Sequence, residues 1–274
     1  MAVDGIVAIA TALGRRWPVV LAAGLALAGT PPSSSPMRAA TAADGPGGGS
    51  PAPVRAMVDG VVDITGHVGD TGTIAAGTGM VVTPQGAVLT NNHVIRGARR
   101  IRVTVPGGRR YRARVLGADA DQDVALLQVL GAPALTPATF GDSSTVAVGD
   151  AVTAVGNAGG VGGAPSVSAG TVTQLHRSIT VTDENGLEPE HLHDLIETDA
   201  RIEPGDSGGP LIDAGGQVIG MDTAAAGDPP GPQATPDGFA IPIDGALAVV
   251  HAIQDGGGSA PAVARRSSHA PHSS

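Results

Sequence analysis

The sequence predicts an all-β fold, and three of its features lead to this conclusion. The chain of 274 residues contains 42 glycines and 22 prolines, a content that favours many turns between short strands. Short apolar runs flank the turn-forming stretches Pro84 to Gly86 and Pro106 to Gly108, which is typical of β-hairpins. No helical pattern of about 10–15 residues separates the runs, so a parallel sheet with crossover helices is not expected.

The predicted elements follow one another at short intervals, and most of them are strands with alternating or continuous apolar residues. In chain order they are expected at residues 73–83, 87–92, 100–105, 109–117, 123–129, 151–157, 168–175 and 216–224. One helix is predicted, from Asp244 to Gln254, with Asp244 as its N-cap and with Val250 and Ile253 on its apolar face.

The N-terminus indicates export. Arg15 and Arg16 precede an apolar run from Trp17 to Gly29, and Ala26 to Ala28 fits a signal-peptidase site. The run has 13 residues, whereas a membrane span needs about 20. Residues 1–28 are therefore interpreted as a signal peptide, and an uncleaved N-terminal anchor remains the alternative.

The rest of the chain divides into three further segments. Residues 29–56 form a Pro/Gly/Ala-rich linker that is expected to be disordered. Residues 57–255 form the folded domain, with an internal boundary near 145–150, and residues 256–274 form a second disordered tail.

Composition excludes several classes of function. The net charge of −9 argues against a nucleic-acid partner, because phosphate binding requires a basic surface. The chain has no cysteine, which excludes thiol catalysis and cysteine-ligated zinc. Apolar residues make up 42% of the chain but aromatic residues only 1%, so the core is expected to consist of Val, Ile, Leu and Ala.

The stretch from Glu203 to Asp213, EPGDSGGPLID, places Ser207 in a frame of glycines. This frame fits both the G-x-S-x-G elbow of α/β-hydrolases and the GDSGGP pattern of trypsin-like serine proteases. The elbow requires its acid and histidine after the serine, but only His251 follows within the folded segment, inside the predicted helix. The elbow is therefore excluded. In the remaining pattern the backbone N–H groups of Gly205 and Ser207 would form the oxyanion hole.

A histidine and an aspartate should then precede the serine, and the chain offers both. His93 ends an apolar strand, and Asp123 lies immediately before a buried-looking one. His93 would accept the proton of the nucleophile, and Asp123 would orient the imidazole and stabilise its charge. Asp119 and Asp121 are alternatives to Asp123, although both are interpreted as solvated loop residues.

Five blocks in this order and spacing resemble the HtrA/DegP-type branch of the trypsin-like serine proteases: TNNHVI, DVALL, TDARIEPGDSGGPLID, GQVIGMDTA and GFAIPID. The resemblance extends from about Gly77 to Gln254. It implies two six-stranded antiparallel β-barrels of the trypsin-like type, followed by a C-terminal helix, with the active site between the barrels. It also implies substrate-binding roles for four residues, Thr223, Ala224, Ala225 and Gly238, the first of which would additionally support Asp123.

The chain departs from this family in two respects. HtrA-type proteins commonly carry a PDZ domain after the protease, whereas only a short low-complexity stretch follows the predicted helix. The family also commonly has Asn before the nucleophile, where this chain has Asp206. Asp206 is expected to pair with an internal arginine or with backbone donors.

Other polar residues are given structural interpretations. His191 and His193 are expected in an exposed loop rather than in a metal site, since no further ligands cluster near them. His251 is expected on the helix surface, and Arg201 in a surface or ion-paired position rather than on the floor of the specificity pocket. No metal and no cofactor are expected.

The sequence therefore predicts an exported serine endopeptidase of the cell envelope or extracellular space, acting through an acyl-enzyme. The resemblance implies unfolded or damaged proteins as substrates, and the Ala-rich wall favours small aliphatic residues before the cleaved bond. The alternative is a catalytically silent or partner-activated protein-binding scaffold with a chaperone-like role. Polypeptides are the expected partners, a monomer is favoured over an oligomer, and membrane association through the N-terminal segment is left open.

Overall fold

The computed structural model describes residues 6–8, 58–68, 73–160, 162–182, 190–225 and 238–256. The predicted signal peptide or anchor, the linker and the tail lie outside these residues, apart from the strand Ile6–Ala8 and residue 256.

The described residues form strands over most of their length. The strands are β1 Ile6–Ala8, β2 Val61–Val68, β3 Thr73–Val81, β4 Ala87–Thr90, β5 Ala98–Thr104, β6 Arg110–Asp119, β7 Val124–Leu130, β8 Ala151–Gly156, β9 Ser166–Thr182, β10 Glu190–Thr198, β11 Pro210–Asp213, β12 Val218–Ala225 and β13 Gly238–Pro242. The α-helices are α1 Asn92–Ile95 and α2 Ile243–Gln254, and single 3₁₀ turns lie at Ser143–Thr145 and Ala158–Gly160.

The first half of the folded domain is a closed antiparallel barrel in the order β2-β3-β4-β7-β6-β5. Both predicted hairpins are confirmed, since Met80 pairs with Leu89 across the first turn and Val103 with Tyr111 across the second. Gly86 closes the first turn with φ 86°, a conformation that glycine adopts without steric cost. The interior of the barrel is filled mainly by Val, Ile and Leu, as the composition predicted.

The second half is built from β8 to β13. These six strands pair in the order β9-β10-β13-β12-β11-β8, and an additional β8–β9 pairing joins the two ends of the sheet. The short strand β1 adds to β9 in parallel. The predicted fold class, two six-stranded β-structures of the trypsin-like type with a C-terminal helix, is confirmed.

Five of the described strands were not predicted: β1, β2, β10, β11 and β13. In β10 the polar side chains of His191 and His193 are exposed while Leu192 between them is buried, so one face of the strand is exposed to solvent and the other is buried. The expectation that these histidines lie in a loop is therefore wrong, although their exposure is confirmed.

The prediction for helix α2 began one residue too late and named the wrong residue as its N-cap. It follows β13 without an intervening loop, so Pro242 occupies the N-cap position and provides no side-chain hydrogen bond. Asp244 lies instead in the first turn, where its carboxylate accepts a hydrogen bond from the Ser143 hydroxyl at 2.8 Å. Val250 is buried and Ile253 packs against the core, as predicted. Among the described residues, no helix is long and apolar enough to cross a membrane.

Candidate active site

His93 lies on α1, a single helical turn between β4 and β5. The buried side chains of Val94 and Ile95 anchor this turn in the first barrel. The backbone N–H of His93 donates to Asp123 Oδ1 at 2.9 Å, and its Nδ1 lies 2.8 Å from Asp123 Oδ2. A carboxylate can only accept, so Nδ1 carries the proton of a neutral imidazole and Nε2 is left as the basic nitrogen.

Asp123 occupies a constrained position immediately before β7. Its φ of 52° is uncommon for a residue other than glycine, and its side chain is 1% exposed. The Asn91 side-chain amide and the Asn92 backbone N–H both donate to its carbonyl oxygen, at 3.0 and 3.2 Å. Oδ2 also accepts a hydrogen bond from the Thr223 hydroxyl at 2.7 Å. The carboxylate is thus held from several directions with one edge towards His93.

The two alternatives to Asp123 have no such contacts. Asp119 accepts hydrogen bonds from the backbone N–H groups of Asp121 and Gln122 and so closes a local turn. Asp121 is exposed. The structure therefore brings Asp123, and neither of these aspartates, to the side chain of His93.

Ser207 lies in the second half of the domain on a tight turn between Glu203 and Gly209. The Asp206 N–H donates to the Glu203 carbonyl at 2.9 Å, and the Gly209 N–H to the Asp206 carbonyl at 2.8 Å. The Ser207 hydroxyl donates to the backbone carbonyl of Thr223 at 3.2 Å. Thr223 therefore contacts Ser207 through its carbonyl and Asp123 through its hydroxyl, which links the three predicted catalytic residues into one cluster.

Gly205 forms the other side of this turn, and its conformation requires glycine. Its φ is 103°, and a Cβ at this position would collide with the carbonyl oxygen of Asn157 and lie 2.8 Å from the backbone nitrogen of Gly160. The backbone can pass so close to the 157–160 turn only because the side chain is absent.

Thr78 holds this loop from the first barrel, a role that the sequence analysis did not assign. Its N–H donates to the Ser207 carbonyl at 2.8 Å, and its hydroxyl donates to the Gly205 carbonyl at 2.7 Å. The same hydroxyl accepts from the Asn157 N–H at 2.9 Å. The signal was present as the triplet GTG in β3, where a polar residue between two glycines interrupts an apolar strand.

Asp206 pairs with a backbone donor and a serine rather than with an arginine. Its two carboxylate oxygens accept from the Glu203 N–H at 2.9 Å and the Ser166 hydroxyl at 2.8 Å. Burial raises the pKa of Asp206, and these two hydrogen bonds only partly oppose the shift. Of the two expected kinds of partner for Asp206, an internal arginine or backbone donors, the structure shows a backbone donor, and a serine hydroxyl is an additional partner.

Asp222, immediately before Thr223, has a more unusual environment than Asp206. It is 0% exposed, and within the described part of the chain neither of its carboxyl oxygens has a hydrogen-bond partner. Burial raises the pKa of this carboxyl well above its usual 3.8, and the nearby charge of Asp206 acts in the same direction. Its backbone accepts from the Gly208 N–H and donates to the Gly209 carbonyl, so it adjoins the Ser207 turn.

Because burial raises the pKa of Asp222, we expect the stability of the fold to depend on pH. A carboxyl whose pKa is raised on folding stabilises the native state fully below about pH 3.8, and that stabilisation is lost as the pH rises through the folded pKa. We expect Asp222→Asn to raise Tm more at pH 8 than at pH 5, by about 2–4 °C for each kcal/mol gained. Scanning calorimetry at both pH values measures the difference.

The exposed Asp255 at the end of α2 supplies the control for this measurement. Asp255→Asn makes the same substitution at an exposed side chain and should shift Tm equally at the two pH values. If Asp222→Asn behaves in the same way, Asp222 does not carry the pH dependence.

The predicted substrate-binding residues occupy two adjacent strands. Thr223, Ala224 and Ala225 end β12, and Gly238 begins β13 directly opposite Ala225. A Cβ on Gly238 would lie 2.7 Å from the Ile202 side chain and 2.9 Å from the Ala200 carbonyl, so this position too is confined to glycine.

The remaining polar residues lie away from this cluster. Arg201 is 74% exposed and pairs with Glu203 at 2.7 Å, as expected for a surface residue. His191 and His193 contact the hydroxyls of Thr180 and Ser178, and His251 is exposed on α2. Within the described ranges no group of three or more His, Cys, Asp or Glu side chains could hold a metal ion.

The sequence matches the trypsin-like peptidase domain over residues 77–221, a stretch that contains His93, Asp123 and Ser207. The chain belongs to the trypsin-like peptidase family. Among curated relatives, this chain is 40% identical to the putative serine protease HhoA of Synechocystis over 182 residues, which cover 66% of this chain and 43% of the relative. It is 38% identical to the periplasmic pH-dependent serine endoprotease DegQ of Escherichia coli over 182 residues, 66% of this chain and 38% of that relative.

Comparison with solved structures supports the same family. The HtrA-type protease AlgW with a tripeptide aligns with a TM-score of 0.63 and 32% identity, covering 76% of this chain and 65% of AlgW. The resemblance to HtrA/DegP-type proteases is therefore confirmed. The chain spans less than half the length of the curated relatives that it matches.

Proposed function

We propose that this chain is an exported serine endopeptidase in which His93, Asp123 and Ser207 form the catalytic triad. The observation that carries the proposal is the position of Thr223, whose hydroxyl contacts the Asp123 carboxylate while its carbonyl accepts the Ser207 hydroxyl. The same carboxylate contacts the His93 ring, so contacts through Thr223 connect all three residues although they are far apart in the sequence.

The proposed reaction uses each of these groups in turn. With Nδ1 fixed by Asp123, His93 accepts the Ser207 proton at Nε2 while the serine oxygen attacks the carbonyl of the peptide bond. The backbone N–H groups of Gly205 and Ser207 donate to the oxyanion that forms. The protonated imidazole then gives its proton to the leaving amine, and water hydrolyses the acyl-enzyme with His93 again as base.

The neighbouring strands provide the proposed substrate site. Backbone groups of Thr223, Ala224 and Ala225 would pair with the main chain of a polypeptide, and Gly238 would leave room for its side chain. Relatives are named as periplasmic serine endoproteases, which supports export to the cell envelope and polypeptide substrates. No cofactor enters the proposed reaction.

Covalent labelling tests this function against the scaffold alternative. The full-length protein is incubated with a fluorophosphonate probe and, separately, with unfolded casein, beside Ser207→Ala. We expect labelling and cleavage by the wild type only. Equal absence of labelling in both proteins, with casein still bound, would replace the peptidase proposal with a binding scaffold. A wild type labelled only after addition of a peptide would identify a partner-activated form.

The contact between Thr223 and Asp123 gives a second prediction. Thr223→Val keeps the side-chain volume but removes the hydrogen bond to the carboxylate, which is worth about 1.5–3 kcal/mol. We expect kcat/KM for a casein-derived peptide to fall by about 10–100-fold, since 1.4 kcal/mol corresponds to a factor of ten. Thr223→Ser keeps the hydroxyl and should retain most of the activity; an equal loss in both variants would show that the methyl group, not the hydrogen bond, is required.

A further inference from the structure

The positive charge of this acidic protein is concentrated in one short stretch. The chain contains 16 basic and 25 acidic residues, yet residues 96–114 contain eight arginines and no acidic residue. Since the whole chain carries −9, the remainder carries −17. So uneven a distribution gives one surface of the molecule a positive potential opposite in sign to its net charge.

The fold brings five of these arginines onto one side of the first barrel. Along β5 and β6 they alternate with side chains that pack into the barrel, so they point outward together. Arg102 lies directly opposite Arg112 in the strand pairing. We call this surface the arginine face, and it consists of Arg100, Arg102, Arg110, Arg112 and Arg114, all of them exposed.

Within the described part of the chain, no ion pair neutralises the arginine face. None of its five arginines has an acidic partner within 4.0 Å among the described residues. Asp63 is close enough to interact with Arg110: burial raises the pKa of Asp63, and the positive charge of Arg110 opposes this rise without reversing it. Like charges placed opposite each other generally destabilise a sheet, so the stability of the barrel gives no reason for the Arg102–Arg112 pair.

The form of the arginine face limits what can bind there. Both β5 and β6 are paired on their two sides within a closed barrel, so no free strand edge is available for an added peptide strand. Tyr111 packs against the barrel interior, so no aromatic ring is presented between the arginines for stacking on nucleic-acid bases. Recognition must therefore come from side-chain charge spread over an outer wall.

We propose that the arginine face docks the protein on an anionic phospholipid surface. Guanidinium groups bind phosphate oxygens through paired hydrogen bonds, and an array of them matches the repeated charges of lipid headgroups. The hairpin tip at Gly107 and Gly108 supports this orientation, because a Cβ at either glycine would meet no atom within 4 Å. The hairpin tip beside the arginine face is therefore open to a bound surface at these two positions.

The connection to the N-terminal segment supports the same partner. The chain enters the barrel through β2, and β2 is paired directly with β5. The apolar run from Trp17 to Gly29 lies upstream of β2. In the uncleaved form of the N-terminal segment, this run and the basic surface would act together, and two such signals attach a protein to a membrane more stably than one.

Vesicle sedimentation of the full-length protein tests this proposal. Binding is measured on phosphatidylcholine vesicles with and without phosphatidylglycerol, at about 0.01 M and about 0.15 M salt, where the screening length falls from about 30 to about 8 Å. Each arginine near an anionic surface contributes about 1 kcal/mol, so we expect Arg112→Gln to weaken binding to the anionic vesicles about fivefold. Arg102→Gln combined with Arg112→Gln should weaken it about 25-fold.

Arg201→Gln is the matched control, because it removes one exposed arginine that is ion-paired and belongs to the other half of the domain. It should leave vesicle binding within about twofold. Binding through the apolar N-terminal run alone would be equal on both vesicle types and in all variants, and that result would overturn the proposal. Equal losses for Arg112→Gln and Arg201→Gln would also overturn it.

Two other partners are distinguished by added measurements. If poly-glutamate, but not the anionic vesicles, binds in a manner that depends on Arg102 and Arg112, the arginine face recognises acidic polypeptides and the lipid proposal fails. If the wild type forms a larger species at low salt without vesicles and the double variant does not, the partner is a second copy of the chain. Circular dichroism of each variant verifies that the barrel is folded.

Discussion

Asp123→Asn is expected to lower kcat for cleavage of casein or a casein-derived peptide by about 10⁴-fold. The asparagine side chain fills the same space, but its amide would face His93 Nδ1 or the Thr223 hydroxyl, where the carboxylate now accepts two hydrogen bonds with one oxygen. A donor at this place favours the imidazole tautomer with its proton on Nε2, which cannot accept the proton of Ser207. The loss should therefore appear in kcat rather than in KM.

Asp121→Asn is the control for this measurement. Asp121 lies two residues away, carries the same charge and is exposed, so its substitution should leave kcat within about twofold, as for most surface changes. Far-UV circular dichroism and thermal unfolding separate a catalytic defect from a folding defect. An Asp123→Asn protein that is folded and retains a tenth of the wild-type rate would remove Asp123 from the proposed triad.

Gly205→Ala is expected to lower kcat by about 10²–10³-fold, the usual result of losing one oxyanion donor. The added methyl group would collide with the Asn157 carbonyl, and the φ of 103° is unfavourable for alanine. The loop must move to relieve the collision and the unfavourable φ. The backbone N–H of residue 205 then no longer points to the oxygen of the tetrahedral intermediate. Single-turnover acylation with an activated ester measures the effect on this step.

Gly107→Ala separates backbone strain from loss of the oxyanion donor. Gly107 has a similar φ of 90°, but a Cβ there would meet no atom within 4 Å, and it lies on the β5–β6 hairpin tip. Its substitution should cost stability comparable to the strain at Gly205 and leave kcat unchanged. If Gly205→Ala retains full acylation activity, the backbone N–H of residue 205 is not part of the oxyanion hole.

The residues proposed for catalysis were found in the sequence because their signals are local. Ser207 was identified from the glycines on both sides of it, and these glycines are required by close backbone contacts that the structure also contains, as at Gly208, where a Cβ would collide with the Thr78 carbonyl. The first-barrel hairpins were predicted because turn residues and alternation are read directly from neighbouring positions.

Strands and contacts that depend on distant partners were not found in this way. The expectation of a loop at His191 and His193 was wrong because two histidines in three residues suggested a polar segment, although Leu192 already showed alternation. Thr78 was missed because the three hydrogen bonds that tie it to the Ser207 loop and Asn157 run to residues more than 75 positions away. The predicted N-cap and the predicted start of α2 were wrong because the helix begins directly at the end of β13, which the sequence pattern did not indicate.

The sequence by itself determined the all-β class, the hairpins and the glycine-framed serine, because each follows from the order of adjacent residues. Only the tertiary structure decided which of three nearby aspartates touches His93, that Asp222 is enclosed without a hydrogen-bond partner within the described chain, and that five arginines share one wall of the first barrel. These three features depend on burial and on the register between strands, which exist only in the packed chain. Burial sets the pKa of a carboxyl, and strand register sets which charges share a surface.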